Sequence, residues 1–126
     1  MPKQKTIVTS ARIPTPSSPY SAATIWGNVL YVSGQVAGDS SADITGQTEQ
    51  VMQKLQVILE EAGTSFEHAL KANCYLSDIS EFAAFNAVYA TYVGDSKPAR
   101  ATVEAKLAGP AYKVEVDMIV GIPDAE

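Results

Sequence analysis

The sequence predicts one α+β domain, a mixed sheet with two helices packed on one face. Three observations predict it: a length of 126 residues, enough for one core but not for two ordinary domains; a segment order of strand, hairpin, helix, strand, helix and two strands; and two late segments that alternate apolar with polar residues. The domain is taken as 1-126, with no linker and no internal repeat.

Lys5 to Thr9 alternates weakly and predicts a first strand, followed by a Pro- and Ser-rich loop from Ile13 to Pro19 that delivers Tyr20. From Ala22 to Val36, β-branched and apolar residues flank Gly27-Asn28, a pair suited to a two-residue hairpin loop. Val51, Met52, Leu55, Ile58, Leu59 and Ala62 follow the spacing of one helical face, with Gly63 as the stop. Ala69 to Leu76 reads as a strand. Ser80 is the candidate N-cap of a second helix carrying Phe82, Phe85, Val88, Tyr89 and Tyr92 on one side, ended by Gly94 and Pro98.

The last third predicts strands from Ala99 to Leu107 and from Tyr112 to Val120, separated by Ala108-Gly109-Pro110. Taken as neighbours, they put Ala101, Val103, Ala105 and Leu107 beside Val114, Val116, Met118 and Val120 under the helices. The opposite face would then carry Arg100, Thr102 and Glu104 beside Glu115 and Asp117. That face has no cover within one subunit. Because only 18% of residues are charged, self-association is the expected use for it.

Composition also removes function classes. A net charge of −5 with scattered Lys and Arg opposes nucleic-acid binding. No apolar run approaches the roughly 20 residues of a membrane span, and Met1-Pro2-Lys3-Gln4-Lys5 has no apolar stretch behind its charges, so the expectation is a cytoplasmic protein with no membrane partner. A single cysteine, Cys74, and a single histidine, His68, leave no conventional catalytic metal site and poor material for a Ser-His-Asp system. Cys74 reads as a small buried hydrophobe and His68 as a loop residue. Neither a nucleophile elbow, a P-loop nor a dinucleotide fingerprint is present.

What remains is a short set of polar candidates. Arg100 follows Pro98-Ala99 and has the planar fork that holds a carboxylate through two hydrogen bonds. Composition alone favours a plain ion pair with Asp95, Glu115 or Asp117. Glu115 lies between valines, where a half-buried carboxyl would hold its proton more tightly; a solvent-facing glutamate fits the position equally well. Gly34 in Ser33-Gly34-Gln35 would let a ligand approach the backbone, or would simply end a strand.

These residues sit in recognisable strings: Ser18-Pro19-Tyr20-Ser21, Tyr31-Val32-Ser33-Gly34-Gln35, Leu59-Glu60-Glu61-Ala62-Gly63, the set Phe82, Asn86, Val88 and Tyr89, then Pro98-Ala99-Arg100 and Val114-Glu115-Val116. Through them the chain resembles the RidA (YjgF-type) reactive-intermediate deaminases over nearly its whole length. The resemblance implies a chorismate-mutase-like fold and a homotrimer with clefts between subunits. It also implies cofactor-independent hydrolysis of enamine and imine products of pyridoxal-phosphate enzymes, such as 2-aminoacrylate, to 2-oxo acids and ammonia, the 2-iminobutanoate/2-iminopropanoate deaminase reaction. Arg100 would clamp the substrate carboxylate and Glu115 would position or activate water. Tyr20, Ser33, Gly34, Asn86 and Thr102 would complete the cleft. A non-catalytic module binding 2-oxo acids in the same clefts is the alternative. The chain departs from the family pattern at Thr102, where cysteine is common, at Lys54, at Ala22 and at Ala108-Gly109-Pro110.

Overall fold

Gly27 has a φ of +66° and among the described residues no non-glycine has a positive φ, so the turn after Trp26 is left-handed at its first central residue alone. This computed structural model describes residues 4–124; Met1-Pro2-Lys3, on which part of the reading of the N-terminal segment fell, lie outside them. Around that turn β2 (Ala23–Trp26) pairs antiparallel with β3 (Val29–Gln35), as the hairpin reading expects. The first strand, β1 (Thr6–Ile7), is shorter than the predicted Lys5 to Thr9 and pairs with β2.

Helix α1 (Ile44–Glu61) opens on Asp43, whose Oδ1 accepts from the Gly46 amide at 2.9 Å. It closes on Gly63, φ +83°, with the Gly63 amide donating to Glu60 and the Thr64 amide to Leu59, so the last carbonyls are satisfied by a glycine C-terminal motif. Its buried row of Val51, Met52, Leu55, Ile58 and Leu59 is the one the periodicity predicts. Strand β4 (Ala69–Leu76) follows a 3₁₀ turn at Phe66–His68, so half-buried His68 sits in that turn rather than in an exposed loop.

Helix α2 (Phe82–Val93) begins one residue later than a Ser80 cap would place it, with Glu81 at its N-cap position. The capping side chain is Asp78, which accepts from the Ser80 amide at 2.9 Å and the Ser80 hydroxyl at 2.7 Å over a 3₁₀ turn at Ile79–Glu81. A carboxylate two residues upstream is the better acceptor for the free amides there. Gly94, φ +63°, ends the helix.

The final strands are β5 (Ala99–Glu104) and β6 (Val114–Gly121), both starting or ending inside the predicted ranges. They are not neighbours. The sheet order is β1-β2-β3-β6-β4-β5: β6 enters antiparallel between β3 and β4, and β5 lies parallel to β4 at the edge after the α2 crossover. Both helices cover one face, where Leu30, Val32, Ala72, Cys74, Leu76, Val114, Val116, Met118 and Val120 are buried. Each fully buried aliphatic side chain among them is worth about 1.5–3 kcal/mol of transfer free energy.

This order corrects the assignment of faces. Cys74 is registered with Thr102 on one side and Val116 on the other, and residues in register share a face. Arg100, Thr102 and Glu104 therefore belong to the helix-covered face. Ala101 and Val103 share the open face with Asn73, Tyr75, Glu115 and Asp117. The expectation of one polar face holding both Arg100 and Glu115 failed because it treated strands adjacent in sequence as adjacent in the sheet. No helix of the described residues is long and apolar enough to cross a membrane.

Candidate functional site

The seven candidate residues fall into two groups. The first is built where α2 overhangs β5. Arg100 lies on the exposed edge strand with its guanidinium carbon 5.0 Å from the Tyr89 ring centroid, 5.5 Å from Phe82 and 5.9 Å from Phe85. Its Nη1 donates to Asn86 Oδ1 at 2.8 Å. Among the described residues no carboxylate lies within ion-pair distance of it; the ion pairs there join Arg12 to Glu60 and Glu61. The predicted pair with Asp95, Glu115 or Asp117 is thus absent, and Arg100 is a cation on three ring faces with one neutral polar partner.

Beside it, two hydroxyl oxygens are out of contact with solvent and make no hydrogen bond: Thr102 Oγ1, two residues along the same face of β5, and Tyr89 Oη. Burial pushes the Tyr89 phenol up to about 12, with Cys74 adding to the rise and Arg100 opposing it, so the hydroxyl keeps its proton. Burial likewise pushes the Cys74 thiol up to about 12, which makes it the inert hydrophobe expected. Buried hydroxyls without partners are costly unless something fills the space beside them. Tyr89 and the rings of Phe82 and Phe85 escaped the sequence reading because their spacing with Asn86 is that of a core-facing helical stripe.

The second group lies on the open face. Glu115 is half-buried on β6, opposite Tyr75, and its carboxylate crosses toward β3 and lies over Gly34. A Cβ at Gly34 would stand 2.1 Å from Glu115 Oε2 and 2.8 Å from its Cδ. Gly34 has no positive φ, so the space and not the backbone angle requires glycine. The pairing of β3 with β6 is irregular here, with Ser33 and Gly34 spanning the bulge between Val32 and Gln35. Glu115 is raised above the ordinary carboxyl range, first by burial and then by the charge of Asp117.

Ser33 Oγ donates to the Ser21 carbonyl at 2.5 Å, and Ser33 shares a hollow of about 480 Å³ with exposed Tyr20 and Tyr31. Tyr20, Ser33, Gly34 and Glu115 therefore sit toward one side of the molecule, and Arg100, Asn86 and Thr102 toward the other. Strand β5 is two strands from β6, and Arg100 is three rows from Glu115, which puts their Cα atoms about 14 Å apart. With side chains on opposite faces, one chain cannot bring both to one small substrate.

The positions that depart from the family pattern have local explanations. Lys54 Nζ donates to the Val36 carbonyl at 2.8 Å and ties α1 to the end of β3. Ala22 is buried in the core, and its carbonyl accepts from the Ser33 amide at 2.9 Å. Gly109 packs under the Tyr112 ring, where a Cβ would stand 2.9 Å from the nearest ring carbon. Among the described residues no three His, Cys, Asp or Glu side chains converge to hold a metal ion.

A family model described as Endoribonuclease L-PSP matches residues 10–122. The chain is 38% identical over 121 residues to a RutC family protein of Pyrococcus horikoshii, covering 91% of this chain and 96% of that protein. It is 32% identical over 125 residues to a RutC family protein of Synechocystis, covering 93% and 96%. Among solved structures, yeast Mmf1 superposes with a TM-score of 0.87 at 31% identity, covering 95% of this chain and all (100%) of that one. A conserved Rid family protein, YyfA of Yersinia pestis, does so with a TM-score of 0.87 at 29% identity, covering 94% and 100%.

Proposed function

The chain belongs to the endoribonuclease L-PSP family, the YjgF/RidA group, and from that premise we propose that it hydrolyses small carboxylate-bearing imines to 2-oxo acids and ammonia. The observation that carries this reading is the state of Arg100. It is a guanidinium backed by Phe82, Phe85 and Tyr89, tied only to the neutral Asn86 amide, with unpartnered hydroxyls close by. A planar cation kept free of protein carboxylates is a receptor for an incoming one. The net charge of −5 supports a small anionic ligand more than a ribonucleic acid, whose phosphates would have to be neutralised by clustered cations.

Glu115 supplies the second part. An imine carbon is electrophilic, so the reaction needs an oriented water and a group that accepts and returns a proton. A half-buried carboxyl with raised proton affinity suits that task. It would take the proton of the attacking water and return one so that ammonia leaves the tetrahedral carbinolamine.

Because Arg100 and Glu115 point from opposite faces, the working cleft takes Arg100, Asn86 and Thr102 from one subunit and Glu115, Gly34, Ser33 and Tyr20 from the next, in a homotrimer whose interior is the open sheet face. Its substrates would come from pyridoxal-phosphate enzymes that release enamines, and no cofactor enters the scheme. The test is to add the purified protein to a pyridoxal-phosphate dehydratase reaction and follow imine decay. Faster formation of 2-oxo acid supports the reading, with a fall of about 10²–10⁴-fold for Glu115→Gln at nearly unchanged ligand affinity. Binding of a 2-oxo acid without any acceleration would leave a binding module instead.

A further inference from the structure

Two side chains on the open face, Asn73 and Tyr75, close around one carboxylate, Asp117, that the proposed reaction does not use. Asp117 Oδ1 accepts from Asn73 Nδ2 at 2.9 Å and Asp117 Oδ2 accepts from Tyr75 Oη at 3.0 Å, so both oxygens are held by donors from the neighbouring strand. By register, Asn73 faces Asp117 and Tyr75 faces Glu115. Yet Tyr75 turns its hydroxyl away from its own partner and gives it to Asp117. Among the described residues Glu115 receives no side-chain hydrogen bond, although it is half-buried and pressed over Gly34. Two carboxylates on one face of one strand, two residues apart, repel each other; here one is satisfied completely and the other is left bare.

We propose that Asp117 is a positioning residue for Glu115: clamped by Asn73 and Tyr75, it fixes a negative charge beside Glu115 and withholds from it the donors that would weaken it as a base. This rests on the reading of Glu115 as the group that takes a proton from water. The direction of Glu115's raised proton affinity, set by burial first and Asp117 second, agrees with it. The other groups on that face do not supply the effect. Tyr75 from β4 is a phenol whose proton burial and the bond to Asp117 hold more tightly. Ala101 and Val103 of β5 and Ser33 and Gly34 of β3 carry no charge. Lys71 and Tyr31 lie farther along the face, in the rows of Ile119. In the proposed trimer a second subunit's Arg100 adds a positive charge common to every variant compared.

The experiment is a carbon-13 titration of the intact protein labelled at glutamate side-chain carboxyls, with the Glu115 signal identified by its loss in Glu115→Gln. Residues two apart on one strand have Cα atoms about 7 Å apart, and charges at about that distance in an effective dielectric between water and protein interact strongly enough that Asp117→Asn should lower the Glu115 midpoint by about 0.5–1.5 pH units. The acid limb of kcat/KM should move down by the same amount. Asp117→Glu, which keeps the charge, should stay near the wild-type midpoint. Asp117→Ser repeats the neutral arm should the Asn variant fail to fold. An unmoved midpoint in a folded neutral variant would mean that Asp117 only stitches β4 to β6. The titration needs no substrate, so the two readings fail separately. A lowered midpoint in a protein that hydrolyses no imine keeps this proposal and loses the functional one. An imine hydrolase with an unmoved midpoint does the reverse.

Discussion

The proposed cleft, which takes its arginine from one subunit and its carboxylate from the next, can be broken twice and repaired by mixing. Arg100→Ala removes the carboxylate receptor from every cleft of its own trimer, and Glu115→Gln removes the base from every cleft of its own. When the two chains are coexpressed in equal amounts and assemble at random, a given cleft receives an intact Arg100 with a chance of about one half. It independently receives an intact Glu115 from the neighbour with a chance of about one half. About a quarter of the clefts are then complete, and imine hydrolysis should recover to about a quarter of the wild-type rate per subunit, far above either parent given the roughly 10²–10⁴-fold loss for a missing base. The arithmetic follows from the roughly 14 Å separation and opposite orientation of the two side chains, and holds for any closed ring. The assay is 2-oxo acid formation in a dehydratase-coupled reaction; when chains carrying different affinity tags allow the mixed trimers to be purified away from the two inactive homotrimers, one cleft in three is complete and the expected rate rises to about a third of wild type. A chain carrying both substitutions, coexpressed with wild type, controls for simple dilution. Mixed trimers no more active than their parents would refute the division of the site between subunits.

Other expectations follow from single contacts. Gly34→Ala should cut turnover by at least tenfold while leaving the protein folded, because its Cβ displaces Glu115 Oε2 rather than backbone; kcat and thermal melting together check it. Arg100→Lys should weaken 2-oxo acid binding about as much as Arg100→Ala, since a point ammonium reproduces neither the two-pronged contact nor the stacking on Tyr89; isothermal titration decides. Glu115→Gln should be more stable than wild type at neutral pH. The folded protein holds the Glu115 proton more tightly than the unfolded chain, so wild type has its full stability below the ordinary carboxyl value of 4.5 and loses some as pH rises through the raised one. The advantage of the Gln variant in denaturant midpoint should therefore vanish in acid, and a constant advantage at all pH values would contradict the assignment.

Much of the fold was legible because its signals are local. Gly27-Asn28, the Val51 to Leu59 row and the Gly63 stop each depend on neighbours within a few residues, and the structure keeps all of them. The faces of Arg100 and Glu115 were not legible, because they depend on which strand lies beside which. No local pattern reveals that β6 passes β4 to join β3. The same limit hid the site's surroundings. Tyr89 and Phe85 look like core, and they are buried, yet their faces also carry Arg100. Asn73 and Tyr75 look like the solvent side of an ordinary strand, and only their hydrogen bonds to Asp117 across the β4–β6 pair give them a task.

The central position of β6 also sets the order in which this molecule can come into being. During synthesis β3 and β4 have no common neighbour until residues 114–121 emerge, so the growing chain holds two half-sheets, β1-β2-β3 and β4-β5, each with an unpaired edge. Pairings this distant in sequence are slow to form, and open edges invite mispairing while they wait. Glu115 and Asp117 arrive on the very strand that joins the halves. An unfinished chain therefore carries Arg100 without Glu115, and the open sheet face is complete only after β6 has joined the two halves.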